Sequence, residues 1–564
     1  MEEQASTMHV PAPEPVQQEI ADQEIVGVVE TTEAAPTPSK RGQLVRSATV
    51  VMLGNLGSSV LGQLRQSVLA GLGTPIIGPF ATALTPLQTF LDLLANGTVS
   101  GALIPTFTDY ADEERHQELR RVVYSLVNLL ILISLFVNAL FIFVAPWFVG
   151  SILAGDFNPG EKALTITFSQ VIICALTIMG PFAVLQAVLY ARKEFGFAAF
   201  ASGALHLGII AGAIVTGWLG ATHFGQLGLA FGVILGGLAQ VALLVPGLKR
   251  QRLPYMFVLD MKHPAIRRIF KLYAPLAVSY IVSMFFVFLD LSLMTRTPGD
   301  HAANLTAAKF ATALIQFPGG LVAAALSFAI LPTLSRYATE KEDAQFKETL
   351  TMGLRLGLLL MIPAMAGLII LRYPIVSLLF HHGLFKPSDA DLAAVALQNY
   401  AYQLPFLVVD QLIMFAFYAR KNTIVPVIVG FVCYGLYALV ALPFYRTIGM
   451  PALVFANTVQ NSMHGILLFA LFYKFFGSLH FRSSLPALLK IIIATVAMAV
   501  VAWTLQYWMG HYDFFSLHTL RGQLLTTLIA GAAAVIVFFG GILLMKVEEI
   551  SLLKQAVMAK LGKK

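Results

Sequence analysis

Residues 103–110 read "LIPTFTDY" and residues 330–337 read "ILPTLSRY". Each closes a long apolar run, and each leads into a charged loop. An echo at a fixed separation signals an internal repeat. Other pairs share the order and nearly the same offset. "FATAL" occurs at 80–84 and 310–314, and "YARK" at 190–193 and 418–421. "APWFVGSIL" (145–153) is matched by "YPIVSLLF" (373–380), and "DFNPGEKAL" (156–164) by "LFKPSDADL" (384–392). One such match is chance; a series in register is a duplication.

The duplicated unit is built for lipid. Of 564 residues, 57% are hydrophobic and only 12% charged, about half the roughly 25% of a soluble chain. Apolar stretches recur that are long enough to cross a ~30 Å hydrocarbon core as helices. Spans can be drawn at 46–72, 77–105, 122–149, 163–190, 196–218, 224–246, 265–295, 303–335, 347–371, 389–418, 424–445, 449–473, 486–508 and 521–546. The expected fold is an all-α polytopic membrane protein of about 14 transmembrane helices. Six spans separate the copies, so the repeats are parallel. They predict two lobes around a central cavity, plus two C-terminal helices. The expected divisions are an acidic disordered tail (1–44), an N-lobe (45–247), a C-lobe (248–475), helices 13–14 (476–546) and a basic amphipathic tail (547–564).

Charge orients the spans. Alternate loops, with both tails, hold about 27 Lys and Arg; the opposite loops hold about six. The positive-inside rule puts the rich loops and both termini in the cytoplasm. The net charge of +7 reflects those loops, and nucleic-acid binding is not expected. Cys174 and Cys433 lie in apolar runs and are expected to be buried. "NGT" (96–98) and "NLT" (304–306) fall in or beside spans and are expected to be chance glycosylation matches. His381 and His382 lack further nearby ligands, so no metal is expected. No P-loop and no cofactor motif occurs.

Charges inside spans are costly, about 2.5–3.5 kcal/mol each on insertion scales, and should face protein or a wet cavity. On span 1, Asn55, Ser58, Ser59, Gly62, Arg65 and Gln66 fall on one helical face. Arg65 suits a phosphate or pyrophosphate, because its planar fork binds such groups bidentately. Asn55, Ser59, Gln66 and Asp92 are expected to share that substrate cavity. Asp290 and Lys309 lie at similar depth on neighbouring spans, as do Arg355 and Asp410. These two pairs are the candidate gating or ion-coupling groups.

With these stretches, "GTVSGALIPTFTDY" (97–110), "PFAVLQAVLYARKEF" (181–195) and the run from 330 to 368, the chain resembles the MurJ/MviN lipid II flippases. So does "LLFHHGLFKPSDADLAAVALQNYAYQLPFLVVDQLIMFAFYARKNTIVPV" (378–427). They belong to the multidrug/oligosaccharidyl-lipid/polysaccharide exporter superfamily, and the resemblance covers roughly residues 45–475. It implies a bacterial inner-membrane flippase for lipid II, the undecaprenyl-pyrophosphate-linked peptidoglycan precursor, working by alternating access. It implies a cationic headgroup cavity between lobes, a lipid-tail groove near spans 13–14, and drive from membrane potential or an ion gradient. Implied partners are the lipid-linked glycan, membrane lipids and cell-wall synthesis proteins. In "SSVLGQLRQ" (58–66), Ser59 stands where the family often has an arginine; Arg65 is kept, and Gln66 replaces an acid. Leu91 and Asp92 stand at expected basic positions, and Ala313 at an expected arginine. The Asn/Asp pair that some members use for sodium is absent from span 11. The alternatives are export of another lipid-linked oligosaccharide, multidrug antiport and a non-transporting scaffold. A membrane glycan-processing enzyme is disfavoured by the short outer loops.

Overall fold

The computed structural model describes residues 38–95, 102–220, 223–479 and 484–547, and every regular element among them is helical. The first lobe holds α1 (Pro38–Ala70), α2 (Thr74–Ala95), α3 (His116–Trp147), α4 (Pro159–Ile172), α5 (Leu176–Ala191), α6 (Phe195–Leu219) and α7 (His223–Arg250). The second holds α8 (Pro264–Met294), α9 (His301–Glu340), α10 (Asp343–Ile370), α11 (Arg372–Phe380), α12 (Pro387–Ala401), α13 (Leu404–Ala419), α14 (Ile424–Phe444) and α15 (Met450–Phe476). Helices α16 (Leu485–Met509) and α17 (Leu520–Leu544) follow the repeat. They share a small apolar core, including Met498, Ala534 and Phe538, with Leu359 and Leu371 of the second lobe.

The acidic tail ends earlier than expected. Residues 38–44 are helical, with Pro38 opening α1, where its fixed φ suits a first turn. The tail segments 1–37 and 548–564, and the sequon at 96–98, lie outside the described residues. The sequon at 304–306 is structural: Asn304 is buried and donates to Thr297 Oγ1 at 3.1 Å and the Pro298 carbonyl at 3.0 Å. Cys433 is buried as expected, but Cys174 is exposed. The tight turn Ile173–Ala175 between α4 and α5 presents it on the outside of the bundle.

Repeat sequence becomes repeat geometry. Each "YARK" ends a helix with its lysine left-handed, Lys193 at φ 62° and Lys421 at φ 57°. The next amide then closes the same backward bond, Glu194 to the Leu189 carbonyl at 2.8 Å and Asn422 to that of Phe417 at 2.9 Å. Each "FATAL" threonine bonds back one turn, Thr82 to the Gly78 carbonyl at 2.9 Å and Thr312 to that of Ala308 at 2.8 Å. The α4–α5 break has its counterpart at α12–α13, where the axis bends by 43°.

Nine helices are long and apolar enough to cross a membrane, ten with the bent α12–α13 pair, among the described residues. The fourteen-span expectation is consistent with these helices without being fixed by them. Helices α1, α2 and α15 fall short because polar side chains interrupt them, such as Gln63, Arg65 and Gln66 on α1 and Asn457, Gln460, Asn461 and His464 on α15. Apolar surface cannot drive helices together within lipid, so close packing and hydrogen bonds do. Helices α6 and α7 meet through Gly208, Gly212, Gly228, Gly232 and Gly236. A Cβ on Gly208 would fall under 3.0 Å from the Gly236 and Gly232 backbones.

The lobes are joined at the Lys/Arg-poor ends of their helices. The Leu384 amide donates to the Gly71 carbonyl at 3.1 Å. Gly383, at φ +63°, lies so close to Gly71 that a Cβ would meet that carbonyl at 2.6 Å. Ser67 donates to the Leu379 carbonyl at 2.6 Å, and Thr295 of the α8 end to that of Leu153 at 2.7 Å.

Replacing Gly208 with Ala inserts a methyl where two backbones touch. A thermal-unfolding assay in detergent is expected to show a loss of roughly 1–3 kcal/mol. An unchanged melting temperature would mean that the α6–α7 contact is looser than described.

Candidate functional site

The polar stripe of α1 faces a cavity of about 220 Å³. Ser58, Ser59, Gly62, Gln63, Arg65 and Gln66 line it from α1, His206 from α6, and Ala313, Gln316 and Phe317 from α9. Both lobes therefore contribute. Gln63 Nε2 donates across the gap to the Ala313 carbonyl at 2.5 Å, which fixes the register of α1 against α9. The Ser67–Leu379 and Gly71–Leu384 bonds close the space just beyond Arg65.

Arg65, Ser59 and Gln66 are thus brought together. Ala313, which stands at an expected arginine position, lines the same cavity. Arg65 is the cavity's arginine, with His206 beside it. Asn55 is exposed and outside the lining, although its carbonyl accepts from Ser59 Oγ at 2.9 Å. It lies on the same face one turn before Ser59, beyond the end of the cavity. Asp92 is exposed on α2 and does not line this cavity.

An apolar groove of about 650 Å³ adjoins the polar cavity. Val60 and Gln63 of α1, Leu314 and Phe317 of α9, Pro363 and Gly367 of α10, Met498 of α16, and Val535 and Phe538 of α17 are among its walls. Gln63 and Phe317 line both spaces. The site is therefore amphipathic over a short distance, polar and cationic on one side and hydrocarbon-like on the other.

A third cavity, about 320 Å³, lies within the second lobe. Asp290 of α8 and Lys309 of α9 both line it, with Thr312, Tyr400, Tyr434 and Tyr437. Asp290 accepts a hydrogen bond from Tyr437, whose hydroxyl donates to Oδ1 at 2.5 Å. Among the described residues no direct ion pair joins Asp290 to Lys309. Tyr434 is held by stacking on Phe286, centroids 4.2 Å apart at 6°. Opposite charges in one cavity leave it formally neutral, which lowers the cost of placing either in the membrane.

Asp410 has a different partner from the one expected. His464 Nδ1 lies 2.6 Å from Asp410 Oδ1, and both side chains are largely buried. Gly465 explains the approach, since a Cβ there would meet the Phe406 carbonyl at 2.9 Å. Its neighbour His464 is thereby set against α13. His464 Nε2 faces the Pro426 carbonyl at 3.3 Å. Arg355 is partly buried on α10. A lone histidine in an apolar run gave no sequence signal for this pairing. The tyrosines of the third cavity were equally silent, because Tyr is common in membrane helices.

Removal of one partner of the Asp410–His464 pair strands the other in a largely buried place. Asp410→Ala and His464→Ala are each expected to cost roughly 1–3 kcal/mol in thermal unfolding. The double variant should cost less than the two summed. Strict additivity would show that the groups do not interact.

Comparison with known proteins fits this geometry. Residues 73–521 match the model of a family described as "Lipid II flippase MurJ". A "Probable lipid II flippase MurJ" of Bdellovibrio bacteriovorus is 25% identical over 532 residues, covering 93% of this chain and 99% of that protein. A protein of the same description from Vibrio cholerae is 29% identical over 504 residues, covering 83% and 89%. Among solved structures, "Lipid II flippase MurJ, inward closed conformation" superposes with a TM-score of 0.68 at 19% identity, over 88% of this chain and all 100% of that one. An inward-facing multidrug resistance MATE family transporter of the MOP superfamily gives 0.63 at 15% identity, over 77% and 99%. These structures share the two-lobed fold.

Proposed function

This chain belongs to the MurJ lipid II flippase family, and we propose that it moves lipid II across the bacterial inner membrane by alternating access of its two lobes. The observation that carries this reading is the shared wall of the polar cavity and the apolar groove. Lipid II joins a charged pyrophosphate to a long polyprenyl tail. Such a molecule needs a cation and a hydrocarbon surface side by side, and Gln63 and Phe317 border both.

In this reading the pyrophosphate lies against Arg65, whose guanidinium offers paired donors to its oxygens. Ser59, Gln66 and His206 supply further polar contacts. The tail lies in the groove between α1, α9, α10 and α17. With Ser59 and Ala313 at expected arginine positions, the site holds the headgroup with less fixed charge, so Arg65 bears more of the binding. The closed Lys/Arg-poor end supports loading from the opposite, Lys/Arg-rich side, which the positive-inside rule makes cytoplasmic together with both termini.

The Asp290–Lys309 cavity is the proposed coupling element, because a neutral pair inside the membrane can change charge when a proton or cation enters. Asp290→Asn is expected to reduce transport at least tenfold while leaving headgroup binding intact. Undiminished transport would remove Asp290 from coupling.

The test of function is complementation in cells depleted of their own lipid II flippase. Wild type is expected to restore growth, and Arg65→Ala to fail despite normal membrane insertion. Val535→Trp, which fills the groove, should also fail. Rescue by Arg65→Ala would contradict the headgroup site. Failure of the wild type, with insertion confirmed, would favour another lipid-linked glycan.

A further inference from the structure

A different surface of the first lobe holds a second concentration of positive charge. A cavity of about 500 Å³ is lined by His116, Gln117 and Arg120 of α3, Lys249 of α7, and Arg252 and Pro254 of the segment that follows. No carboxylate lines it. Two acids on the flanking segments are engaged elsewhere, Glu118 with Arg115 at 3.7 Å and Asp260 with Arg121 at 2.9 Å. Among the described residues no ion pair uses Arg120, Lys249 or Arg252. Three cations gathered without a counter-charge repel one another, and an anion in their midst relieves that repulsion.

The cavity is also built rather than accidental. Arg120 Nε donates to the Pro254 carbonyl at 2.9 Å, and His116 Nε2 lies 2.9 Å from the Gln251 carbonyl. These bonds hold the segment after α7 against the start of α3. From there the segment runs along α3 toward the membrane interior and back. Tyr124 donates to the Leu253 carbonyl at 2.7 Å, Asn128 to the Val258 carbonyl at 2.8 Å, and the Asp260 amide to Ser125 Oγ at 3.0 Å. Arg120 and Asn128 are two turns apart, about 12 Å along the helix.

Exposure alternates along the dipping segment. Met256 and Val258 pack against the first lobe's core. Tyr255, Phe257 and Leu259 are exposed, Phe257 at 87%; the Tyr255 ring packs edge-on against Tyr124 and its hydroxyl donates to Asn128 Oδ1 at 2.8 Å, which fixes the ring with one face open. An exposed aromatic row lying alongside a membrane span, below three uncompensated cations, matches one ligand class. It has a negative headgroup and acyl chains beneath it.

We propose that this cavity binds the headgroup of an anionic phospholipid. The phosphodiester lies among Arg120, Lys249 and Arg252, and the upper acyl chains lie against Tyr255 and Phe257. The cavity is on the Lys/Arg-rich side, where anionic lipid attracts basic residues. It uses no residue of the Arg65 cavity, the apolar groove or the Asp290 cavity. It therefore stands whether or not the transported substrate is lipid II.

The test uses the full-length protein, delipidated in detergent and titrated with phosphatidylglycerol under native mass spectrometry. Lys249→Gln with Arg252→Gln removes two exposed side chains. It is expected to weaken retention on the order of 30-fold, at about fivefold per cation. The charge-matched Lys262→Gln with Arg267→Gln variant should retain the lipid like wild type. Phosphatidylcholine should bind weakly to all three, and glycerol 1-phosphate should not displace phosphatidylglycerol. Equal retention by both double variants, or an equal loss in both, would overturn the site. Displacement by glycerol 1-phosphate at matched concentration would overturn the lipid assignment. If the first double variant does not insert, Lys249→Gln alone should weaken retention about fivefold, and no change there counts against the site.

Discussion

A bilayer interior offers no water to a polar side chain, so any polar group on a spanning helix must find protein or a wet cavity. That constraint arranges the molecule. Helix α1 presents Ser59, Gln63, Arg65 and Gln66 to a space that α9 closes from the other lobe. Helix α15 turns Asn457 and Gln460 to the Asp290 cavity and His464 to Asp410. The helices least suited to lipid are those that build the interior sites. The helices that meet lipid, such as α14, α16 and α17, carry the apolar surface.

A consequence is that polarity and hydrocarbon adjoin. The wall of the Arg65 cavity is also a wall of the groove, because α1 turns its polar stripe and α9 its Gln316 to one side, and Val60, Leu314 and Pro318 face the other. A substrate that is itself amphipathic can occupy both at once. The closure at Gly71, Gly73 and Gly383 depends on residues without a Cβ, two of them left-handed. Backbone contacts of this kind separate without leaving large side chains to be resolvated, which suits a joint that must open and reform.

Much of the fold could be read in the sequence, because duplication and hydropathy are both patterns along the chain. "YARK" and "FATAL" marked equivalent positions that adopt equivalent geometry. The Arg65 stripe was readable as periodicity on a single helix. Contacts between helices were less readable. Equal depth suggested Arg355 for Asp410, but depth fixes height and not azimuth; Gly465 admits α15 and brings His464 instead. Asn55 shares the periodicity of Ser59 yet misses the cavity, since a stripe along a long helix outruns the space it faces. The start of α1 at Pro38 was hidden by the acidic, Pro-rich residues before it.

The most direct measurement is site-specific photocrosslinking of lipid II to the purified protein in nanodiscs, with the crosslinker at Gln316 or at Val535. Gln316 lines the polar cavity and Val535 the groove. The account predicts capture of the pyrophosphate–sugar end at Gln316 and of the polyprenyl chain at Val535, both reduced by unlabelled lipid II. Capture of the polyprenyl chain at Gln316, or no competable capture at either position, would contradict it.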